Sequence, residues 1–431
     1  MSLPPGPSGP HILQTMGWLS RPGPYSRRLR ARYGDVITLH VEQHAPWVLL
    51  GHPDHVKQVF TGDPNVLHAG EGNAILKPLL GPRSVLLLDG KEHLQQRKLM
   101  LPPFHGERMQ AYGDMIREIA REEVASWPTG EPLPTRLRTQ ALTLEIIMRA
   151  IFGTRDERLR DAINTLLEFV GRPSSLVLAV VGGKRANHYV YGRVRAEVDR
   201  LLAELIAARR ADPELDHKDD ILSLLMSGTD MDDATLIDEL VTLLAAGHET
   251  TATALAWALE RLSRHPAAWA RLREGEDDYL DAVCKETLRL RPVIPAVIRM
   301  LKAPYEIGGY ELPAGVAVVP SIHLVHTRED TYPDPLVFRP ERFLEQPAGT
   351  YTWIPFGGGV RRCLGATFAL FEMRWVLRAI ADAVVDLQPA TPRSEGTKHR
   401  SITLAPQADG RVIVARRTTP ARRAQPVPTG R

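Results

Sequence analysis

Apolar residues recur at three- and four-residue spacing along most of the chain, a period that predicts helices rather than strands. The clearest runs lie near 107–127, 137–152, 157–170, 187–210, 233–264, 277–290 and 366–384, with shorter helices over 22–33, 54–60, 92–101 and 219–227. Asp232 and Asp233 stand at the mouth of the longest run, and Pro266 follows its end, as helix boundaries should. Strand-like stretches are few. Residues 36–41 and 47–50 flank a turn at 43–46 and read as a hairpin; 297–300, 305–307 and 316–319 read as further strands, and 401–404 with 411–415 as a final β pair. Residues 63–90 read as a loop broken by Gly70, Gly72, Gly81 and Pro82, and loops of that length usually serve function or are disordered. The expected fold class is mainly α with small β-sheets near both ends.

Composition narrows the class. No Ser/Gly linker or repeat divides the 431 residues, so one domain over 1–416 is expected, followed by a disordered basic tail at 417–431. A net charge of +3, with no basic stripe interleaved with aromatics, gives no case for nucleic acid. The two cysteines, Cys284 and Cys363, sit in separate contexts, which argues against a disulfide framework or zinc cluster and for the reducing cytoplasm. Residues 1–10 lack the charged and apolar parts of a signal peptide. The span 240–259 is long enough to cross a bilayer but holds His248, Glu249 and four threonines, so it reads as a buried helix, and no integral membrane segment is expected.

The chemistry converges on residues 354–365, where three glycines and two arginines lead to Cys363 just before a helical run. Glycine lets a backbone approach a flat partner closely. The helix start behind Cys363, with Arg361 and Arg362 beside it, favours thiolate over thiol, unless Arg361 is engaged by a carboxylate. A thiolate held open by glycines is a metal ligand or a nucleophile; the plainer reading is a buried cysteine in a Gly-rich turn. Phe356, Gly359, Arg361, Cys363 and Gly365 form F-x-x-G-x-R-x-C-x-G, which resembles the haem-binding loop of the cytochrome P-450 family, the haem-thiolate monooxygenases.

Further motifs fall in that family's order. Ala246-Gly247-His248-Glu249-Thr250-Thr251 places a glycine, a charge and two hydroxyls in the middle of an apolar helix, a local conflict of the kind that marks function. It resembles the family's oxygen-groove motif, where the helix loosens over the haem; the resemblance gives Thr250 and Glu249 the handling of dioxygen and protons. Glu286-x-x-Arg289 shares a helix face, and with Arg342 of Pro340-Glu341-Arg342-Phe343 it resembles the family's buried ionic triad, a structural feature. His93 and Arg97, one turn apart, resemble the pair that grips the haem propionates, with Arg299 and Arg361 as further contacts suited by their planar forks. His326 reads as structural and Cys284 as a core residue.

The resemblance implies a cytochrome P-450 fold with non-covalent haem b between the long helix and the Cys363 loop, and insertion of one oxygen atom from dioxygen into a lipophilic substrate. A terpenoid, steroid, fatty acid or polyketide would suit the aliphatic candidate walls: 63–90, Leu243 to Ala246, Pro295, Val297, Ile298 and 401–404. The link 171–183 is placed as a lid. With no flavin or nicotinamide fingerprint in the chain, electrons from NAD(P)H are expected through a separate ferredoxin or flavodoxin and its reductase, docking at Lys91, Lys98, Arg108 and Arg362. The proline-rich opening resembles the hinge of membrane-anchored members, but no anchor precedes it. A peroxide-driven enzyme and a non-catalytic haem sensor remain the alternatives.

Overall fold

In the computed structural model, which describes residues 3–416 apart from 42–43, 105–107, 173 and 176–182, the helices pack around the long helix Asp233–Ser263. The Asp232 carboxylate accepts the Thr235 N–H at 2.8 Å, satisfying one of the donors a helix start leaves open. Beyond its end, Pro266 opens the helix Pro266–Arg273, which the periodicity did not reveal. Leu240, Leu244, Leu255 and Leu259 bury the apolar stripe of the long helix, which packs on the helices Thr135–Phe152 and Ala366–Ala383. Gly247 permits the first of these contacts: a Cβ there would stand 3.1 Å from Ile147 Cδ1. Across the same contact Thr139 and Thr143 donate to the Ala252 and His248 carbonyls at 2.9 and 3.1 Å. The long helix nevertheless runs unbroken through 246–251, where a loosened turn was expected. The hydroxyls add to its backbone bonds without replacing them.

The hairpin is present, with Val36 opposite Leu50, and it continues into a five-stranded sheet. Ala317–Pro320 runs parallel to Trp47–Leu50, followed by Arg299–Leu301 and then Leu67–His68. That last strand lies inside the stretch read as a loop, which also contains the helical turns Ala69–Gly72 and Lys77–Leu80. The final β pair is corrected. Thr403–Pro406 folds back on Thr397–Arg400 through Ser401 at φ 53°, whereas Arg411–Arg416 joins Val384–Pro389 and Pro132–Pro134. Asp409 and Gly410, both at positive φ, turn the chain between them. Most of the 171–183 link and all of the 417–431 tail lie outside the described residues. No described helix is long and apolar enough to cross a membrane.

The helix Asp277–Leu290 anchors the cysteine loop from behind. Glu286 and Arg289, both fully buried, pair in a fork at 2.7 and 2.8 Å, and Arg342 reaches Glu286 at 3.2 Å. Arg289 also donates to the His326 and Pro335 carbonyls, and the Arg339 N–H to Glu286, each at 2.8 Å. His326 then passes the constraint on. Its Nε2 accepts the Ile354 N–H at 2.8 Å while Nδ1 faces the Arg289 carbonyl at 3.1 Å, so these partners require Nδ1 to carry the proton. Burial, with Arg289 beside it, holds the ring neutral by pushing its pKa well down. Glu286→Gln would leave two buried guanidinium groups short of charge, so unfolding should lose about 3–5 kcal/mol by denaturant titration. A loss below about 1 kcal/mol, the scale of an exposed pair, would contradict a structural triad.

Candidate functional site

The loop ahead of Cys363 is shaped by the helix Pro53–Thr61. Gly359 adopts φ +63°, and a Cβ there would meet the Phe60 carbonyl oxygen at 1.9 Å; on Gly358 it would enter the Phe60 ring at 2.1 Å. These glycines answer a protein neighbour, a requirement distinct from the expected approach to a flat ligand. Gly365 differs, since no atom lies within 4 Å of its Cβ position. Trp353 and Phe356 meet edge to face, and the Cys363 N–H donates to the Phe356 carbonyl at 2.9 Å, closing the turn before the helix Ala366–Ala383.

Cys363 lies deep among surrounding atoms, yet its own surface is exposed. The side chain therefore sits in a recess, surrounded by atoms but not covered by them. Burial pushes its thiol pKa up, against the opposing pull of the Gly365 N–H, Arg97 and Arg362. Burial therefore outweighs the help that the helix start and the two arginines give the thiolate. The other cysteine, Cys284, is sealed in the core with its pKa pushed up to about 12 by burial.

The long helix shows a matching opening. Ala246 is exposed in the middle of an otherwise buried helix, and Ala245, Gly247, Glu249 and Thr250 are half-buried. The Thr250 hydroxyl donates to the Ala246 carbonyl at 2.6 Å. Thr251, the next residue, meets Glu372 of the helix that follows Cys363. Burial keeps Glu372 protonated by driving its pKa well up, and its Oε1 has no partner among the described residues. Glu249 turns aside from the groove: its carboxylate accepts from Arg400 Nε at 3.0 Å and from the Gln140 amide, with Arg136 at 3.9 Å.

Four basic side chains converge beside the cysteine loop. Burial, then Arg361, Arg97 and Arg299, hold the His93 pKa down at about 3, so the ring is neutral. Arg299 is pushed down to about 10 by burial and by Arg361. Asp89 is the carboxylate that partly offsets them: it takes Arg361 at 2.6 Å and the Gly70 and Glu71 N–H groups at 2.8 and 3.0 Å. Asp89 is a site residue the sequence reading missed, although it immediately precedes the His93 helix. Arg361 also donates to the Leu88 and Val85 carbonyls, so much of it is engaged by this loop. Neither the His93 ring nor the Arg97 guanidinium has a hydrogen-bond partner among the described residues. Three arginines, one buried and two half-buried, with one shared carboxylate and a neutral imidazole beside them suit a dianionic ligand. An accessible cysteine, a small-residue opening in the long helix and a basic cluster beside the cysteine loop suit a haem with its two propionates.

Of the expected pocket walls, the 63–90 and 401–404 stretches meet at a cavity lined by Ile75, Leu76, Leu79, Val170, Tyr191, Ser401 and Ile402. Leu243 is mostly buried in the core, Ile298 packs on Gly72, and Val297 lies beside Gly357 of the cysteine loop.

The family model described as Cytochrome P450 matches residues 4–382. A Mycobacterium tuberculosis relative named cytochrome P450 135B1 is 42% identical over 436 residues, covering 96% of this chain and 92% of its own length. Cytochrome P450 135A1 of the same species is 39% identical, covering 96% of both chains. Among solved structures, a retinoic-acid-bound cyanobacterial CYP120A1 superposes with a TM-score of 0.84 at 22% identity, over 96% of this chain and all of that one, a likeness of fold.

Two glycines separate protein packing from ligand approach. Gly359→Ala should destabilise the protein by about 2–5 kcal/mol, combining left-handed strain with overpacking. Gly365→Ala should leave the stability of haem-free protein within about 0.5 kcal/mol but lower its haem retention. Equal loss of stability in the two variants would contradict this division.

Proposed function

The chain belongs to the cytochrome P450 family, and is thus a haem-thiolate monooxygenase with a cysteine-ligated haem b; from that premise we propose that Cys363 is the iron ligand. The observation that carries the assignment is the accessibility of its side chain, while Cys284, the other cysteine, is sealed in the core. Bound there, the haem supplies reductive activation of dioxygen, and thiolate ligation favours cleavage of the O–O bond.

The chain's own residues bind, orient and deliver protons. Arg97 and Arg299 hold the propionates through their forks, and neutral His93 donates one ring N–H. Arg361 contributes mainly by clamping the 85–89 segment to the cysteine loop. Ala246 leaves room against the helix, since a larger side chain would fill the opening. The Thr250 hydroxyl donates its hydrogen bond to the Ala246 carbonyl, so its oxygen is free to accept one from a proton donor and orient it over the groove. Glu249 can move a proton toward Thr250 only after leaving Arg400. Thr250→Ala should keep haem content while the peroxide released per NAD(P)H rises several-fold and product falls. Unchanged coupling would remove Thr250 from proton delivery.

The substrate class that fits is lipophilic, such as a terpenoid, steroid, fatty acid or polyketide. The aliphatic side chains of Ile75, Leu76 and Leu79, closed by Val170 and Ile402, support that reading, with the Ser401 hydroxyl as an orienting group; the Tyr191 hydroxyl donates to the Ser175 carbonyl at 3.3 Å. The electron donor proposed is an acidic ferredoxin or flavodoxin, served by an NAD(P)H-dependent reductase. Lys91, Lys98 and Arg362 are exposed on the cysteine side; the Arg108 side chain lies outside the described ones. Charge-paired docking predicts that reduction by such a partner slows as salt rises, and that Lys91→Glu with Lys98→Glu flattens the dependence. A salt-independent rate would contradict that mode of docking.

A further inference from the structure

The leading helix His11–Ser20 is built inside out. Its inward face carries Gln14, Thr15 and Trp18, all buried, whereas Ile12, Leu13 and Met16 point outward at 53%, 59% and 57% exposure. Leu19, half-buried, packs against the core instead, so the outward stripe is confined to Ile12, Leu13 and Met16. The inversion is held in place by polar bonds. The Gln14 amide donates to the Pro7 and Gly9 carbonyls at 3.1 and 2.8 Å, and its oxygen accepts the His40 N–H at 2.9 Å. Trp18 stands edge-on to Trp47, ring centres 5.5 Å apart. Rotating the helix to hide the apolar stripe would break all three Gln14 bonds and lift Trp18 out of its site. A fold that uses glutamine to hold leucine and isoleucine in water has a partner for them outside the chain.

The charge around the stripe says what kind. Residues 1–34 hold five arginines and no Asp or Glu. Arg21, at the junction of the two helices, and Arg28 and Arg32, on the helix Pro22–Tyr33 that packs against the leading helix, are all exposed. The first acid, Asp35, is paired with Arg30 at 2.7 Å and with Arg328 at 2.9 Å, so it does not offset these three. An apolar helical stripe bordered by unpaired arginines is the composition of a helix that lies in the plane of an anionic bilayer surface.

We propose that Ile12, Leu13 and Met16, flanked by Arg21, Arg28 and Arg32, form a peripheral docking surface for an anionic lipid bilayer. This requires no spanning segment. The surface also adjoins the candidate pocket: the leading helix packs on strand Thr397–Arg400, and the His399 ring lies against the backbones of Trp18 and Ser401. Ser401 and Ile402 line the apolar cavity. A docked bilayer would therefore hold lipophilic molecules close to the cavity rim.

The test is flotation of the haem-loaded, full-length protein with phosphatidylglycerol or phosphatidylcholine vesicles. Binding to phosphatidylglycerol should be the stronger and should weaken as salt rises. The triple variant Ile12→Glu, Leu13→Glu, Met16→Glu should lower that partition about tenfold or more while keeping the visible haem spectrum of the parent. Arg21→Glu, Arg28→Glu, Arg32→Glu should lose the preference for anionic vesicles. No partition into phosphatidylglycerol vesicles, or partition unaltered by the apolar triple variant, would overturn the proposal. So would a concentration-dependent dimer in lipid-free solution that the same variant dissolves, since the stripe would then belong to a second copy.

Discussion

A short chain of buried hydrogen bonds, from Glu286 through Arg289 and His326 to the backbone of Ile354, sets where Cys363 can stand. Each link is fully buried, so an orphaned partner would carry its whole desolvation cost. The chain reaches the start of the cysteine loop from behind, and the Phe60 carbonyl blocks the loop from the other side. Between the two, three glycines and the Cys363 to Phe356 bond leave the turn little room to move. A metal ligand needs that fixity more than it needs stability, since a misplaced sulfur would not hold the metal.

Electrostatics at the site follows from burial more than from neighbouring charge. Arg97, Arg362 and a helix start all favour a thiolate, but a helix terminus contributes only about 0.3–1 kcal/mol. Desolvating an ion costs several kcal/mol, and the Cys363 pKa accordingly moves up. The charge of a metal held by Cys363 would favour the ionised sulfur. The same logic applies to the basic cluster. Burial and the three arginines keep His93 neutral, Arg97 disfavours charge on Arg361, and Arg361 disfavours charge on Arg299; a dianionic ligand would relieve the arginines together. Cofactor binding and folding are thus coupled through charges the protein only partly neutralises itself.

Local signals in the sequence were legible where one stretch settles its own structure. The long helix, the Glu286 helix and the hairpin came out within a residue or two, because capping aspartates, a following proline and alternating β-formers act over short range. The triad and the cysteine loop were legible as patterns. What stayed hidden depends on partners far along the chain. Gly359 needs Phe60, Gly247 needs Ile147, and Glu249 is held by Arg400, which lies 151 residues later. No spacing within the 246–251 motif reveals that its acid is turned aside. The last strands were mispaired for a similar reason: two positive-φ residues, Asp409 and Gly410, redirect the chain toward Val384–Pro389. The leading helix was missed because its apolar positions face outward, so its pattern describes a surface.

All of this rests on one sulfur atom binding iron in its ionised form. The direct measurement is the absorption spectrum of the purified, reduced protein under carbon monoxide, taken beside Cys363→Ala and Cys284→Ala. The account predicts a strongly red-shifted Soret band for the parent chain and for Cys284→Ala, and its loss in Cys363→Ala. A parent chain without that band, or a Cys363→Ala variant that keeps it, would contradict the account.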